Sequence, residues 1–423
     1  MCKSFFRINT FWLLLLLITL LSGCSPDGNA TIDDSNQNVD SDNQSDSKDE
    51  SKLVDENMEQ NDDSEKNEQE LDSINNDIDS IDTNDPLDED SEVSDGDSLI
   101  DEESYYYPPL SGNEWEIDTR ESVGLISEKL DDLTQFIGEN NSTAFIILYK
   151  GRIVVEEYWN DWDIHTSELI YSAAKSITSI LIGIAIDEGL LGIDDKVSDL
   201  IGVGWSGAPQ DKEEMIKVWH LLTMTSGLED KKELGYVADA GTVNYYNTKV
   251  YYVLGDILEK ITGSRDNFTK SALLDKIGMT NSQWVVKLLG NINTMESSAR
   301  DMARFGHLVL SKGNWDGNQI VSNDWINEAT NSSQELNPSY GYLFWLNGKE
   351  SYIPPKKEKV VGSAIPEGPA DMVMALGAQD KKIYIIPSLD MVVIRHGDAA
   401  DASTLAGSEF DNAIWERLSK AFK

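Results

Sequence analysis

Residues 171–189 read Tyr-Ser-Ala-Ala-Lys-Ser-Ile-Thr-Ser-Ile-Leu-Ile-Gly-Ile-Ala-Ile-Asp-Glu-Gly. From Ile177 to Ile186 almost every residue is apolar or small, so a helix here has no wet face and needs burial on all sides. Only its first turn is polar. That turn carries Ser172 and Lys175, and residues at i and i+3 share one helix face. A hydroxyl and an amine are thus held together at the mouth of a core helix. The N–H groups at a helix N-terminus point outward unpaired and favour negative charge, which suits an oxyanion and drives a lysine toward its neutral form. The pattern reads as a serine nucleophile with a lysine partner. Ser45 and Lys48 have the same spacing inside an acidic tract, so the motif is weak by itself and its context carries the reading.

Upstream, the first two dozen residues have the form of an export signal. Lys3 and Arg7 supply the positive start, Phe11 to Leu21 the apolar run, and Ser22 and Gly23 the small residues before Cys24. Leu21-Ser22-Gly23-Cys24 resembles a bacterial lipobox, which implies cleavage before Cys24 and lipidation of its thiol. The expected location is therefore a bacterial cell membrane, lipid-anchored, on the extracytoplasmic side. The chain has two Cys; if Cys2 leaves with the signal, the mature protein keeps only Cys24 and has no internal disulfide to rely on.

From Ser25 to Ser104 there are 30 Asp and Glu against Lys48, Lys52 and Lys66, so the tract carries −27 of the chain's −42. With few branched apolar or aromatic residues it has too little surface to bury against its ordering entropy. Residues 24–104 are expected to be a disordered tether, about 50 Å in mean span if neutral and longer under charge repulsion. Such acidity excludes a nucleic-acid partner, which requires the opposite sign.

Residues 105–423 are long enough for a large core. Val123–Ile137 has the period of an amphipathic helix. Ala144–Tyr149 and Ile153–Tyr158 read as a hairpin turning at Lys150-Gly151. Helices are expected over Met215–Leu222, Tyr251–Ile261, Ser298–Leu310 and Phe410–Phe422, and strands over Lys382–Ile386 and Met391–Arg395. Strands at both ends with helices between predict an α+β domain, in which an antiparallel sheet formed by the two ends carries an inserted helical lobe. The tract Asn244-Tyr245-Tyr246-Asn247-Thr248 precedes the Tyr251 helix. A tyrosine there acts as a base only if a nearby cation lowers its pKa, and Lys175 is the candidate.

Taken together, Ser172-x-x-Lys175, Leu221–Leu228, the Tyr tract before Leu254-Gly255-Asp256, Ser298–Gly306 and Ile383–Pro387 resemble the serine β-lactamase-related superfamily. The resemblance is to its class C branch of β-lactamases, D-alanyl-D-alanine carboxypeptidases, esterases and 6-aminohexanoate-dimer hydrolase. It implies the β-lactamase/transpeptidase-like fold, Ser172 as the nucleophile forming an acyl-enzyme, and Lys175 as the amine that deprotonates it. The catalytic tyrosine then falls on Tyr246, with Tyr245 as second choice because it restores Tyr-x-Asn with Asn247. The third family motif falls at Ala375-Leu376-Gly377-Ala378, which implies an oxyanion hole from the N–H groups of Ser172 and Ala378 with Gly377 allowing close approach. The motif's cation is replaced by Ala375. Loss of a charge-assisted bond of about 1.5 to 3 kcal/mol weakens the case for a carboxylate-bearing substrate and ranks an ester- or amide-cleaving hydrolase above a β-lactamase. Lys381 and Lys382 are the cations nearest in sequence.

His165, His220, His307 and His396 stand singly, without zinc-site spacing, and His396 is the one to examine as a neighbour of the site. No phosphate loop or dinucleotide fingerprint occurs in a strand-to-helix setting. No metal or cofactor is expected; the partner is a small-molecule or short-peptide substrate. Trp205, Trp219 and Trp345 are candidates for a cleft wall. The rival readings are a β-lactamase or carboxypeptidase, a catalytically silent binding or sensing domain of the same fold, and an envelope scaffold in which the tether matters.

Overall fold

The computed structural model describes residues 104–287, 292–401, 407 and 409–423. The expected signal sequence, Cys24 and the expected tether up to residue 103 lie outside the described residues. Among the described residues no helix is long and apolar enough to cross a membrane.

Helix α1 (Ser127–Glu139) leads into the hairpin of β1 (Ser142–Tyr149) and β2 (Arg152–Tyr158). Then come β3 (Ser167–Leu169), helix α2 (Ala174–Asp187), helix α3 (Thr248–Thr262), β4 (Gln283–Lys287), β5 (Ile292–Ser298) and helix α4 (Ala299–Leu310). The chain closes with β6 (Trp345–Leu346), β7 (Val373–Gly377), β8 (Lys381–Ile386), β9 (Met391–Gly397) and helix α5 (Glu409–Ser419).

The main sheet is antiparallel with strand order β2-β1-β9-β8-β7-β6. The last long strand therefore pairs with the first, Leu148 opposite Val392 and Ile146 opposite Ile394, so the two ends of the domain form one sheet. Helices α1 and α5 cover one face, where Tyr384 of β8 meets Trp415 edge-on, 5.5 Å between ring centroids. Helix α4 covers the other face. It approaches at Gly306, where a Cβ would lie 2.5 Å from Val392 Cγ1. A second, three-stranded sheet has order β3-β5-β4.

Helix α2 is buried from Ala174 to Ala185, as its uniform apolarity requires. Of its polar side chains, Ser176 donates to the Leu343 carbonyl at 2.7 Å and Thr178 to the Ala174 carbonyl at 3.3 Å. The expected helix over Met215–Leu222 is shorter than predicted, Val218–Leu222. Residues 215–217 are instead drawn into backbone bonds with the preceding turn, Val197 N–H to the Ile216 carbonyl at 3.0 Å among them. Local helix period lost there to a tertiary pairing.

Candidate active site

Ser172 lies in a single 3-10 turn, Tyr171–Ala173, that feeds directly into α2. The preceding residue, Tyr171, has φ +47°, a conformation that costs a non-glycine residue about 1 to 3 kcal/mol and persists only where the surroundings hold it. Here the Ile170 N–H bonds the Met295 carbonyl at 3.0 Å and Thr294 Oγ1 donates to the Tyr171 carbonyl at 2.8 Å. The nucleophile candidate is thus presented by a bent backbone pinned to β5.

Lys175 Nζ is 3.1 Å from Ser172 Oγ. The amine is buried between two rings, 5.0 Å from the centroid of Tyr246 and 4.5 Å from that of Tyr251. Burial lowers its pKa to about 7, against an opposing pull from Asp230. A lysine there is a competent base near neutral pH, since desolvation penalises its charged form.

The structure separates the two tyrosines. Tyr245 is exposed. Tyr246 points inward and stacks on Trp345, 6.0 Å between centroids and 21° between planes. Burial pushes the Tyr246 hydroxyl well above its usual range; contact with the Ser172 side chain opposes that and Asp230 adds to it. Tyr246 is therefore held as a neutral hydroxyl, not as the phenolate expected from a neighbouring lysine cation, because Lys175 is itself driven toward neutrality. Asn247, which made Tyr245 the second choice, caps α3: its Oδ1 accepts from Lys249 N–H at 2.9 Å and Val250 N–H at 3.0 Å. The Leu221–Leu228 stretch backs this loop, with the Met224 carbonyl accepting from Tyr245 N–H at 2.9 Å and the Leu228 carbonyl from Asn247 Nδ2 at 2.9 Å.

At the end of β7, a Cβ on Gly377 would stand 2.2 Å from the Ile170 carbonyl oxygen, so only glycine lets β7 come this close to the nucleophile turn. Strand β6 pairs only with Val373 and Met374 of β7, which leaves the outer edge from Ala375 to Gly377 outside the ladder. Ala378 follows as the first residue of the turn into β8. Ala375, which is buried, is at the position expected for the family motif's cation. Lys381 and Lys382 do not substitute for it. Lys381 is paired with Glu168 at 2.7 Å, and Lys382 with Asp411 at 2.8 Å and Asp380 at 3.1 Å.

A model of the family described as Beta-lactamase matches residues 130–393, more than half of the chain. The chain belongs to the Beta-lactamase family. Among solved structures, it resembles a provisionally assigned 6-aminohexanoate-dimer hydrolase from Bacillus anthracis, with a TM-score of 0.57, 18% identity, and coverage of 75% of this chain and 89% of that one. It also resembles EstCE1, a hydrolase with promiscuous acyltransferase activity, with a TM-score of 0.53, 14% identity, and coverage of 70% and 98%. An uncharacterized protein of Alkalihalophilus pseudofirmus is 22% identical over 316 residues, 65% of this chain and 88% of that protein. At these identities the structural likeness is one of fold. Membership supports a serine hydrolase of the β-lactamase or esterase type.

In this Beta-lactamase-family chain, sequence reasoning missed Tyr251 and Glu168. Trp345 stacks on Tyr246 and also lines a cleft of about 630 Å³ together with Met374, Leu376, Lys357 and Asp411, a lining that includes none of Ser172, Lys175 and Tyr246. Trp219 packs against His220 instead, 5.1 Å between rings. His396 is buried against Met302 and within 3.3 Å of Glu168, on the α4 face of the sheet and not at Ser172. No cluster of potential metal ligands occurs among the described residues.

Proposed function

We propose that the protein cleaves an ester or amide bond through an acyl-enzyme on Ser172, as a hydrolase held at the cell membrane through Cys24. The observation that carries this is Ser172 Oγ 3.1 Å from a buried Lys175 whose pKa lies near 7. Lys175 takes the Ser172 proton as Oγ attacks the carbonyl carbon. The resulting oxyanion is met by the N–H groups of Ser172 and Ala378, donors fixed before the charge develops. The C–O or C–N bond then breaks, and the proton on Lys175 passes to the leaving group through the neutral hydroxyl of Tyr246. Water attacks the acyl-enzyme, gives its proton back along the same path, and releases the acid and free Ser172.

The substrate class follows from what surrounds the pair. Ala375 brings no charge, and both lysines of the adjacent strand are committed elsewhere. These favour an uncharged group next to the reacting carbonyl over a carboxylate. A fluorophosphonate probe tests the reading on the full chain. Labelling of the wild type and none of Ser172→Ala is expected, and failure to label the wild type overturns it. p-Nitrophenyl butyrate is expected to turn over faster than nitrocefin; the reverse order makes a β-lactamase the better reading.

A further inference from the structure

The two N–H groups assigned to the oxyanion hole come from different sheets. Ser172 follows β3, which belongs to the three-stranded sheet, and Ala378 follows β7 of the main sheet. Among the described residues no strand pairing joins the two sheets. Their relative position therefore rests on packing and side-chain contacts, and a hole whose donors drift by an ångström loses about a hundredfold in rate.

One ion pair crosses the gap at the right place. Glu168 lies in β3, four residues before Ser172, and Lys381 opens β8, three residues after Ala378 and directly opposite Gly377. Lys381 Nζ is 2.7 Å from Glu168 Oε2. Each partner is anchored again within the main sheet. Lys381 is buried and donates to the Gly397 carbonyl, while Glu168 Oε1 accepts from Thr143 Oγ1 at 3.0 Å and lies 3.3 Å from His396 Nδ1. Between the pair and the nucleophile turn, Gly377 packs on the Ile170 carbonyl with no room for a side chain.

We infer that Lys381 and Glu168 are positioning residues that set the spacing of the oxyanion hole by tying the nucleophile turn to the β7–β8 turn. The inference rests on the hydrolase reading above. Neither residue touches the reacting atoms; each acts through the backbone it holds.

The test uses the full chain with Glu168→Gln, Lys381→Met, the double variant and the conservative Lys381→Arg. Glu168→Gln keeps the shape while removing the charge and turning one acceptor oxygen into an NH2 donor, so it remains informative if Lys381→Met does not fold. Substrate is p-nitrophenyl butyrate, and phenylboronic acid serves as a tetrahedral mimic. Expected for each single variant is a fall in kcat of about 10- to 100-fold with KM within about twofold. Phenylboronic acid inhibition should weaken by a similar factor. The double variant should be no worse than the poorer single one, because the tie is broken once, and Lys381→Arg should recover most of kcat. Fluorophosphonate should still label Ser172. Unchanged kcat in Glu168→Gln, a loss confined to KM, or additive losses in the double variant would overturn the inference while leaving the hydrolase reading in place. Absence of labelling in the wild type would remove the hydrolase reading itself.

Discussion

The Lys175 nitrogen lies over the face of the Tyr246 ring, 5.0 Å from its centroid, while its hydrogen bond goes to Ser172 Oγ at 3.1 Å. Burial between aromatic rings lowers the amine's pKa, which suits it to be the base in the proposed reaction, and burial keeps the phenol protonated. In that proposal the proton goes to Lys175 first, with Tyr246 as a relay.

Activity should follow the ionisation of Lys175. With its pKa near 7, kcat/KM is expected to rise as pH passes through about 7 and then level off. Lys175→Arg, which stays charged at all accessible pH, is expected to lose about 10²- to 10⁴-fold. A pH–rate profile on p-nitrophenyl butyrate checks both, and a flat profile from acid to alkaline pH would assign the base elsewhere.

The same amine costs stability. Its folded pKa lies below the unfolded value of 10.5, so the charged form is disfavoured on folding by on the order of 5 kcal/mol. Below pH 7 both states hold the proton and the cost is complete. Between 7 and 10.5 the unfolded chain binds more protons than the folded one, so stability rises with pH. Lys175→Met should therefore unfold at higher temperature or denaturant than wild type, with the largest gain below pH 7 and a shrinking gain toward pH 10.5. Melting curves at several pH values measure it.

Tyr246→Phe removes the hydroxyl and keeps the ring stacked on Trp345. A loss in kcat of about 10²- to 10⁴-fold is expected with little change in melting temperature. Tyr245→Phe, at an exposed ring, should stay within about twofold of wild type. Equal effects of the two changes would contradict the assignment.

Gly377→Ala tests how closely β7 must approach. Its Cβ would meet a backbone oxygen, that of Ile170, at 2.2 Å, so the nucleophile turn or the strand has to move. Overpacking of this kind costs about 1 to 3 kcal/mol, and the displacement should lower kcat by about a hundredfold or more. Activity close to wild type would show that the oxyanion hole does not depend on this contact.

Much of the frame was readable beforehand because it is local. The hairpin around Gly151, helix α4 and the β8–β9 pair follow period and turn residues within a few positions, and each lies close to where the sequence places it. The short strands β3 to β6 were not readable. They run from two to seven residues, too brief for a pattern, and exist because distant segments pair with them. Glu168 and Lys381 gave no signal for the same reason: a charge looks solvated in sequence until a partner more than 200 residues away comes within 2.7 Å.

The sequence by itself determined that α2 would be a buried helix and that Ser172 and Lys175 would meet at its mouth, because both follow from the residue pattern over a few positions. Tertiary structure decided what that pair can do. It put Tyr246 beside Lys175 and left Tyr245 exposed, committed Lys381 and Lys382 to carboxylates, and lowered Lys175 to about 7. A pKa is set by how much water a group loses, and that is decided only when chain segments far apart in sequence close around it.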